Sequence, residues 1–346
     1  MAKNKVRVGV IGCGAIGQRR HLPEYAGRDD VEIIGVCDIK LDRAKQAAEK
    51  FGAAKAVKNH KDLLKLQPDA ISVCTPNYLH APHTLDALKA GCHVLCEKPM
   101  AGSVRDAKAM IAAAKRAKKQ LMIGHNQRLA PAHVRGKEIY RSGAVGKALG
   151  FSTSFAHPGP ESWSMDGVKG FFFKKPQAII GALGDLGVHK IDLVRWFLED
   201  DVALASAMTA TIEKKNCTVD DTAYGVFTMT SGIIGQMWAG WTLKAGEANS
   251  TTIACEKGVI KLFDDPKFSV VVLKADGERM FIASGAIQTN EAGGQSASGV
   301  IDAFVDAVQS GRKNPIPGEE GARSLAAIMA CVESAKTKRH IRPAKV

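Results

Sequence analysis

Gly12-Cys13-Gly14-Ala15-Ile16-Gly17 constrains this chain more than any other segment. It follows directly on an apolar, β-branched run at 6–11 and opens a stretch, 15–27, whose apolar spacing is helical. A G-x-G-x-x-G that turns a strand into a helix reads as a dinucleotide-binding loop. Gly12 permits the tight turn, Gly14 lets the backbone approach a pyrophosphate, and Gly17 allows close helix-to-strand packing. The helix start at Ala15 and Ile16 supplies N–H donors to the phosphates. Asp38 ends the next strand pattern, 21 residues after Gly17. A carboxylate there accepts hydrogen bonds from the ribose hydroxyls and repels a 2′-phosphate, so NAD is expected in preference to NADP. Lys40 is the neighbour that argues the other way.

The rest of the first 125 residues repeats the strand-then-helix pattern. Strands are expected at 6–11, 32–37, 70–74, 93–96 and 121–124, with helices near 15–27, 41–51, 60–66, 79–90 and 103–119. Nearly continuous apolar strands alternating with helices imply a parallel sheet covered on both faces, a doubly wound Rossmann arrangement. Past residue 125 the pattern changes. Strands at 147–156, 203–212, 223–230, 232–243, 250–254, 258–262 and 269–273 are joined mostly by turns, and Gly232 and Gly277 supply hairpin signals. Helices are expected at 187–198, 299–311 and 318–337. The fold class is therefore α/β: a dinucleotide-binding domain at 1–125, then an α+β domain at 126–346 with a large, mostly antiparallel open sheet. The last helix is free to return to the first domain.

Composition narrows the function classes. In 346 residues with 45% hydrophobic and 24% charged side chains, no apolar run reaches the roughly 20 residues of a membrane span. The segment 1–17 has lysines before an apolar stretch, but Arg7 and the glycines break it as a signal peptide. Eight cysteines, half of them in strand-like runs, fit a reducing cytoplasm. Cys92 and Cys96 enclose His93 but lack a second ligand pair, so no metal is expected. The net charge of +13 is uneven: residues 1–150 carry +14, 151–300 carry −4 and 301–346 carry +3. Lys108, Lys115, Arg116, Lys118 and Lys119 have the spacing of one solvated helix face, and no nucleic-acid motif accompanies them. No nucleic-acid partner is expected.

Ligand crevices of open α/β sheets lie at the carboxyl ends of the strands. That places Thr75, Pro76, Asn77 and His80 after the third strand, Glu97 and Lys98 after the fourth, and Asn126 and Arg128 after the fifth at the crevice. Thr75 with Pro76 also reads as a strand-ending turn, and Glu97 with Lys98 as a solvated ion pair. His157 and Trp163, beside and in the loop 158–167, could cover the crevice, or Trp163 could serve an interface. The triplet Phe171 to Phe173 reads as a hydrophobic anchor before a solvated turn.

These segments together (GCGAIG at 12–17, TPNYLH at 75–80, GCHVLCEKP at 91–99, GHNQR at 124–128 and GDLGVHKID at 184–192) resemble the Gfo/Idh/MocA family of sugar and cyclitol dehydrogenases over nearly the whole chain. The resemblance implies a catalytic set of Lys98, Asp185 and His189. His189 would take the proton of a ring hydroxyl while NAD takes the hydride from the same carbon, and Lys98 would hydrogen-bond the reacting oxygen. Asp185, four residues before His189, would orient it or bind a neighbouring hydroxyl, with Asp192 supporting the histidine or its helix. The implied partners are a small carbohydrate or cyclitol and further copies of the chain in a homodimer or homotetramer. A redox-assisted glycosidase that retains NAD, a sugar-ketone reductase and a noncatalytic NAD-binding regulator are the alternatives.

Overall fold

The computed structural model describes residues 5–285 and 297–346. They form two compact units. The first comprises the described parts of 1–125 and 288–322 together with Trp163–Phe171; the second comprises Asn126–Ser162, the described part of 172–287, and Arg323–Val346. Two later segments thus join the first unit, which a single division after residue 125 does not describe.

The first unit is built on six parallel strands: β1 (Val6–Ile11), β2 (Val31–Cys37), β3 (Ala56–Val57), β4 (Ala70–Val73), β5 (His93–Cys96) and β6 (Leu121–Ile123). Their order, β3-β2-β1-β4-β5-β6, reverses direction beside β1, so the loops after β1 and β4 diverge there and open the crevice of a doubly wound sheet. Val8, Val10, Ile71, Val73, Val94, Leu95 and Ile123 are buried because helices cover both faces. The helix Val104–Ala117 shows how sequence sets an element. Ser103 accepts from the Asp106 N–H and donates to its carboxylate, Ala107, Met110, Ile111 and Ala114 face inward, and Lys108, Lys115, Arg116 and Lys118 are exposed. The edge strand β6 is covered from far along the chain. The Ile123 N–H donates to the Ile316 carbonyl at 3.0 Å, Met122 bridges Pro317, and Gly318 and Gly321 lie so close to Leu121 and Ile123 that a Cβ would collide.

The second unit holds eight strands: β7 (Ala148–Ala156), β8 (Val202–Ala210), β9 (Thr222–Met229), β10 (Ile234–Gly240), β11 (Thr251–Cys255), β12 (Gly258–Leu262), β13 (Val270–Lys274) and β14 (Arg279–Ile282). They are ordered β14-β13-β12-β11-β7-β10-β9-β8, and only β7 with β10 is parallel. Gly232 and Gly277 adopt φ of 91° and 94° in the β9–β10 and β13–β14 turns, as their hairpin signals suggest. One sheet face packs Phe227, Met237, Ile253 and Ile260 against Ile191, Val194 and Phe197 of helix Val188–Leu198 and against Ile328 and Cys331 of helix Gly318–Thr337. The opposite face carries Met208, Tyr224, Val226 and Ile234, all exposed, and Trp238 stacked on Tyr224 with centroids 6.0 Å apart. Trp241 is fully buried.

Candidate active site

The loop after β1 has the shape its glycines dictate. Gly12 has a φ of +100°, and a Cβ there would meet the Cys74 carbonyl oxygen at 2.5 Å; one on Gly17 would meet the Gly12 carbonyl oxygen at 2.5 Å. Both are required by packing. Gly14 differs, because a Cβ on it would meet nothing within 4 Å. That open backbone is where a pyrophosphate must approach, so the loop fits a dinucleotide. Half-buried Ala15 and Ile16 lead into a single π-helical turn, Gly17–His21, and then the helix Leu22–Ala26. Asp38 stands beside this loop at the end of β2. Its carboxylate accepts the Cys13 N–H at 3.0 Å and the Lys40 N–H at 2.9 Å. Burial, and then the Asp38 charge, push the Cys13 thiol up to about 12, so it packs as an inert hydrophobe.

The next two loops are tied to each other. His80 is buried, and its ring nitrogens lie 2.7 Å from the Thr75 and Pro99 carbonyl oxygens. Burial pushes its pKa down and the two carbonyls oppose that. His80, expected to face the cofactor, therefore joins the loop of Thr75, Pro76 and Asn77 to that of Glu97 and Lys98. Glu97 likewise turns inward. It accepts from Arg20 at 3.3 Å and from His21 at 2.9 Å, while the other ring nitrogen of His21 meets Ser72 Oγ, itself 2.8 Å from the Tyr25 hydroxyl. Burial would raise the Glu97 carboxyl. The His21 hydrogen bond and the charges of Arg20, His21 and Lys98 outweigh it and hold the pKa at about 2. An anionic Glu97 thus anchors the backbone under half-buried Lys98, and Gly124 is needed because a Cβ there would strike that carboxylate at 2.9 Å.

In the second unit Asp185 and His189 lie on consecutive turns. Asp185 falls in a π-helical turn, Leu183–Gly187, that runs into helix Val188–Leu198. Asp220 fixes where this begins: its carboxylate accepts the Gly181 N–H at 2.9 Å and the Leu183 N–H at 2.7 Å. A Cβ on Gly181 would sit 1.8 Å from the Asp220 carbonyl oxygen, so only glycine fits. Trp241 Nε1 donates to Asp185 at 3.3 Å, and the Phe155 ring lies between His189 and His157, 5.8 and 5.9 Å from them by ring centroid. Phe173, from the expected aromatic anchor, packs edge-on against Trp241 at 5.8 Å. Asp185 thus rests against Trp241, while His189 and His157 both lie against Phe155.

The other expected positions have their own local partners and surroundings. Asn126 is buried in the turn Asn126–Leu129. Arg128, expected at the substrate, directs Nε and Nη2 to Asp192 at 2.7 Å each, and Asp192 also accepts from Ser324. The planar guanidinium matches a carboxylate two-to-two, and neither charge could be buried alone. His157 Nδ1 accepts the Gly159 N–H at 3.0 Å. Trp163 is half-buried at the start of the segment that joins the first unit. Sequence reasoning missed Asp220 and Gly181, whose role exists only when strand and helix meet. It also missed the partners of Glu97, since Arg20 and His21 lie 77 and 76 residues earlier in the chain.

Comparison with known proteins adds to this geometry. Residues 6–125 match the GFO_IDH_MocA model, described as an oxidoreductase family with an NAD-binding Rossmann fold, and residues 133–261 match the GFO/IDH/MocA C-terminal domain. D-glucoside 3-dehydrogenase of Escherichia coli is 34% identical over 57% of this chain, a match that spans 55% of the relative's own length. Myo-inositol 2-dehydrogenase of Thermotoga maritima is 26% identical over 97% of this chain and 98% of that protein. Among solved structures, levoglucosan dehydrogenase in complex with NADH and levoglucosan superposes with a TM-score of 0.86 at 23% identity, covering 99% of this chain and 100% of that one. At that identity the likeness shows the fold.

Proposed function

The chain belongs to the Gfo/Idh/MocA family of oxidoreductases, and from that membership we propose that it oxidises a ring hydroxyl of a sugar or cyclitol with NAD, using Lys98, Asp185 and His189. The observation that carries the reading is the placement of Asp185 and His189 on consecutive helical turns whose start is held by Asp220, Asp185 against Trp241 and His189 against Phe155, in a chain whose glycine loop is open at Gly14. Nicotinamide, when bound, supplies the acceptor for the hydride of the carbinol carbon. His189 takes the hydroxyl proton on a ring nitrogen, the role neutral imidazole serves near pH 7. Asp185, held by Trp241, orients that ring or receives a neighbouring hydroxyl. Lys98 donates to the reacting oxygen as negative charge grows there, and Glu97 beneath it keeps the loop in place. Asn126, His157 and Trp163 contribute contacts to the remaining hydroxyls and ring face.

The test is turnover of purified protein with NAD or NADP on a panel of cyclitols, aldoses and glycosides, repeated with His189→Ala and Lys98→Ala. NADH formation is expected on at least one polyol, with each variant losing about 100-fold or more in kcat and keeping NAD affinity within a few-fold. Wild-type turnover in either variant would remove that residue from the mechanism. Glycoside cleavage without net NADH would replace dehydrogenation by redox-assisted hydrolysis.

A further inference from the structure

We propose that Asp166 is a specificity-determining residue that excludes NADP, by occupying the two cations that would otherwise receive its 2′-phosphate. The inference rests on the NAD reading above and concerns the first unit alone. Lys40 and Arg43 follow Asp38 at the end of β2, where an arginine or lysine is the usual partner of a 2′-phosphate. Here both are already engaged. Lys40 Nζ lies 2.5 Å and Arg43 Nη2 2.8 Å from the same oxygen of Asp166, and Arg43 Nη1 lies 3.9 Å from Asp38.

Asp166 is more than 120 residues away in sequence, on the segment Trp163–Phe171 that folds back onto the nucleotide loop. A second contact seats that segment: Gln18, the residue after Gly17, donates from Nε2 to the Met165 sulfur at 3.5 Å. The four charges Asp38, Lys40, Arg43 and Asp166 sum to zero. Without Asp166 they would sum to +1 and leave a guanidinium beside the ribose edge with one carboxylate partner at 3.9 Å. Arg43 is 15% exposed, so its position is largely set by packing and it would stay in place to meet a phosphate. The Lys40 hydrogen bond, and with it that of Arg43, outweigh burial and hold the Asp166 carboxyl below its usual range, which favours its anionic form. One carboxylate at the ribose thus discriminates by repulsion, and a second removes the attraction.

Binding of NAD and NADP is measured by titration calorimetry without substrate for wild type, Asp166→Asn, Asp166→Ala, and Asp166→Asn combined with Lys40→Ala and Arg43→Ala. Both single variants are expected to bind NADP roughly five- to ten-fold more tightly, with NAD affinity within two-fold, and the combined variant to lose that gain. An unmoved NADP-to-NAD ratio, or a parallel change for both cofactors, would overturn the role of Asp166 and reduce it to a loop tether. Wild-type protein that binds neither dinucleotide would overturn the cofactor reading itself, and this inference with it.

Discussion

Lys190, next to His189, is fully buried. Its ammonium donates to Asn249 Oδ1 at 2.9 Å and lies 3.5 Å from Gln127 Oε1, neutral amides rather than carboxylates. Burial pushes its pKa down to about 7, opposed by the more distant charge of Glu247. The nearby His133 ring is held lower still, at about 3, by its burial and then by the Lys190 charge. Between pH 7 and about 10.5 the unfolded chain therefore binds a proton at this position that the folded protein does not. Stability from Lys190 rises with pH across that window and is at its lowest below it, with a slope of up to about 1.4 kcal/mol per pH unit. Replacing Lys190 by Met should consequently stabilise most at pH 6.5, and the advantage over wild type should shrink by pH 9.5. Denaturant titrations at several pH values check this; a difference independent of pH would show that Lys190 stays charged. Nothing in the sequence pointed to it, because a lysine two residues before Asp192 on an amphipathic helix reads as solvated. The burial of Arg128 was hidden because its partner lies 64 positions away.

The helix that carries Asp185 and His189 depends on a cap from outside itself. Removing the Asp220 carboxylate leaves the Gly181 and Leu183 N–H groups without their side-chain acceptor. Asp220→Ala is expected to cost about 0.5–2 kcal/mol of stability and to lower kcat more than it raises KM, since the turns that place His189 would lose their anchor. A thermal melt and steady-state kinetics measure the two, and unchanged values for both would mean that the Asp220 carboxylate adds nothing to the helix start. Strands such as β1, β5 and β12 were legible to the residue because long apolar or β-branched runs end at glycine or polar turns. Others, among them β3, β14 and the helix Pro131–Arg141, were not. β3 has two half-buried residues, and β14 lies at the sheet edge with alternate side chains exposed, so neither presents a full apolar face. Helix Pro131–Arg141 buries Ala132, His133, Gly136, Lys137 and Ile139, a stripe with too few large apolar side chains to register as a period. Asp185 and His189 were singled out through motif resemblance, whereas the contacts of Asp166 and Asp220 span distances that no local pattern encodes.

At the scale of the whole molecule, the outer face of the second sheet asks for a partner. Met208, Tyr224 and Trp238 stand side by side in register, and Val226 and Ile234 continue the same face on neighbouring strands. Four of these five are exposed, and exposed apolar clusters of this size are the ordinary mark of an interaction surface. Light scattering is expected to give a dimer or tetramer at micromolar concentration, and Val226→Glu to shift it toward smaller species. A monomeric wild type would refute this. The interleaving of the two units also bears on how the chain is made. When residue 125 leaves the ribosome, all six strands of the first sheet exist, but β6 still lacks the backbone partner that Ile316 provides and the cover of Gly318 and Gly321. Roughly 200 further residues must be synthesised before they arrive, on the order of 10–40 s at ordinary elongation rates. Throughout that interval the nascent nucleotide-binding unit exposes an unpaired strand edge, a template for pairing with other chains. Its dependence on chaperones should therefore be concentrated in this window, before the carboxyl-terminal segment closes the sheet.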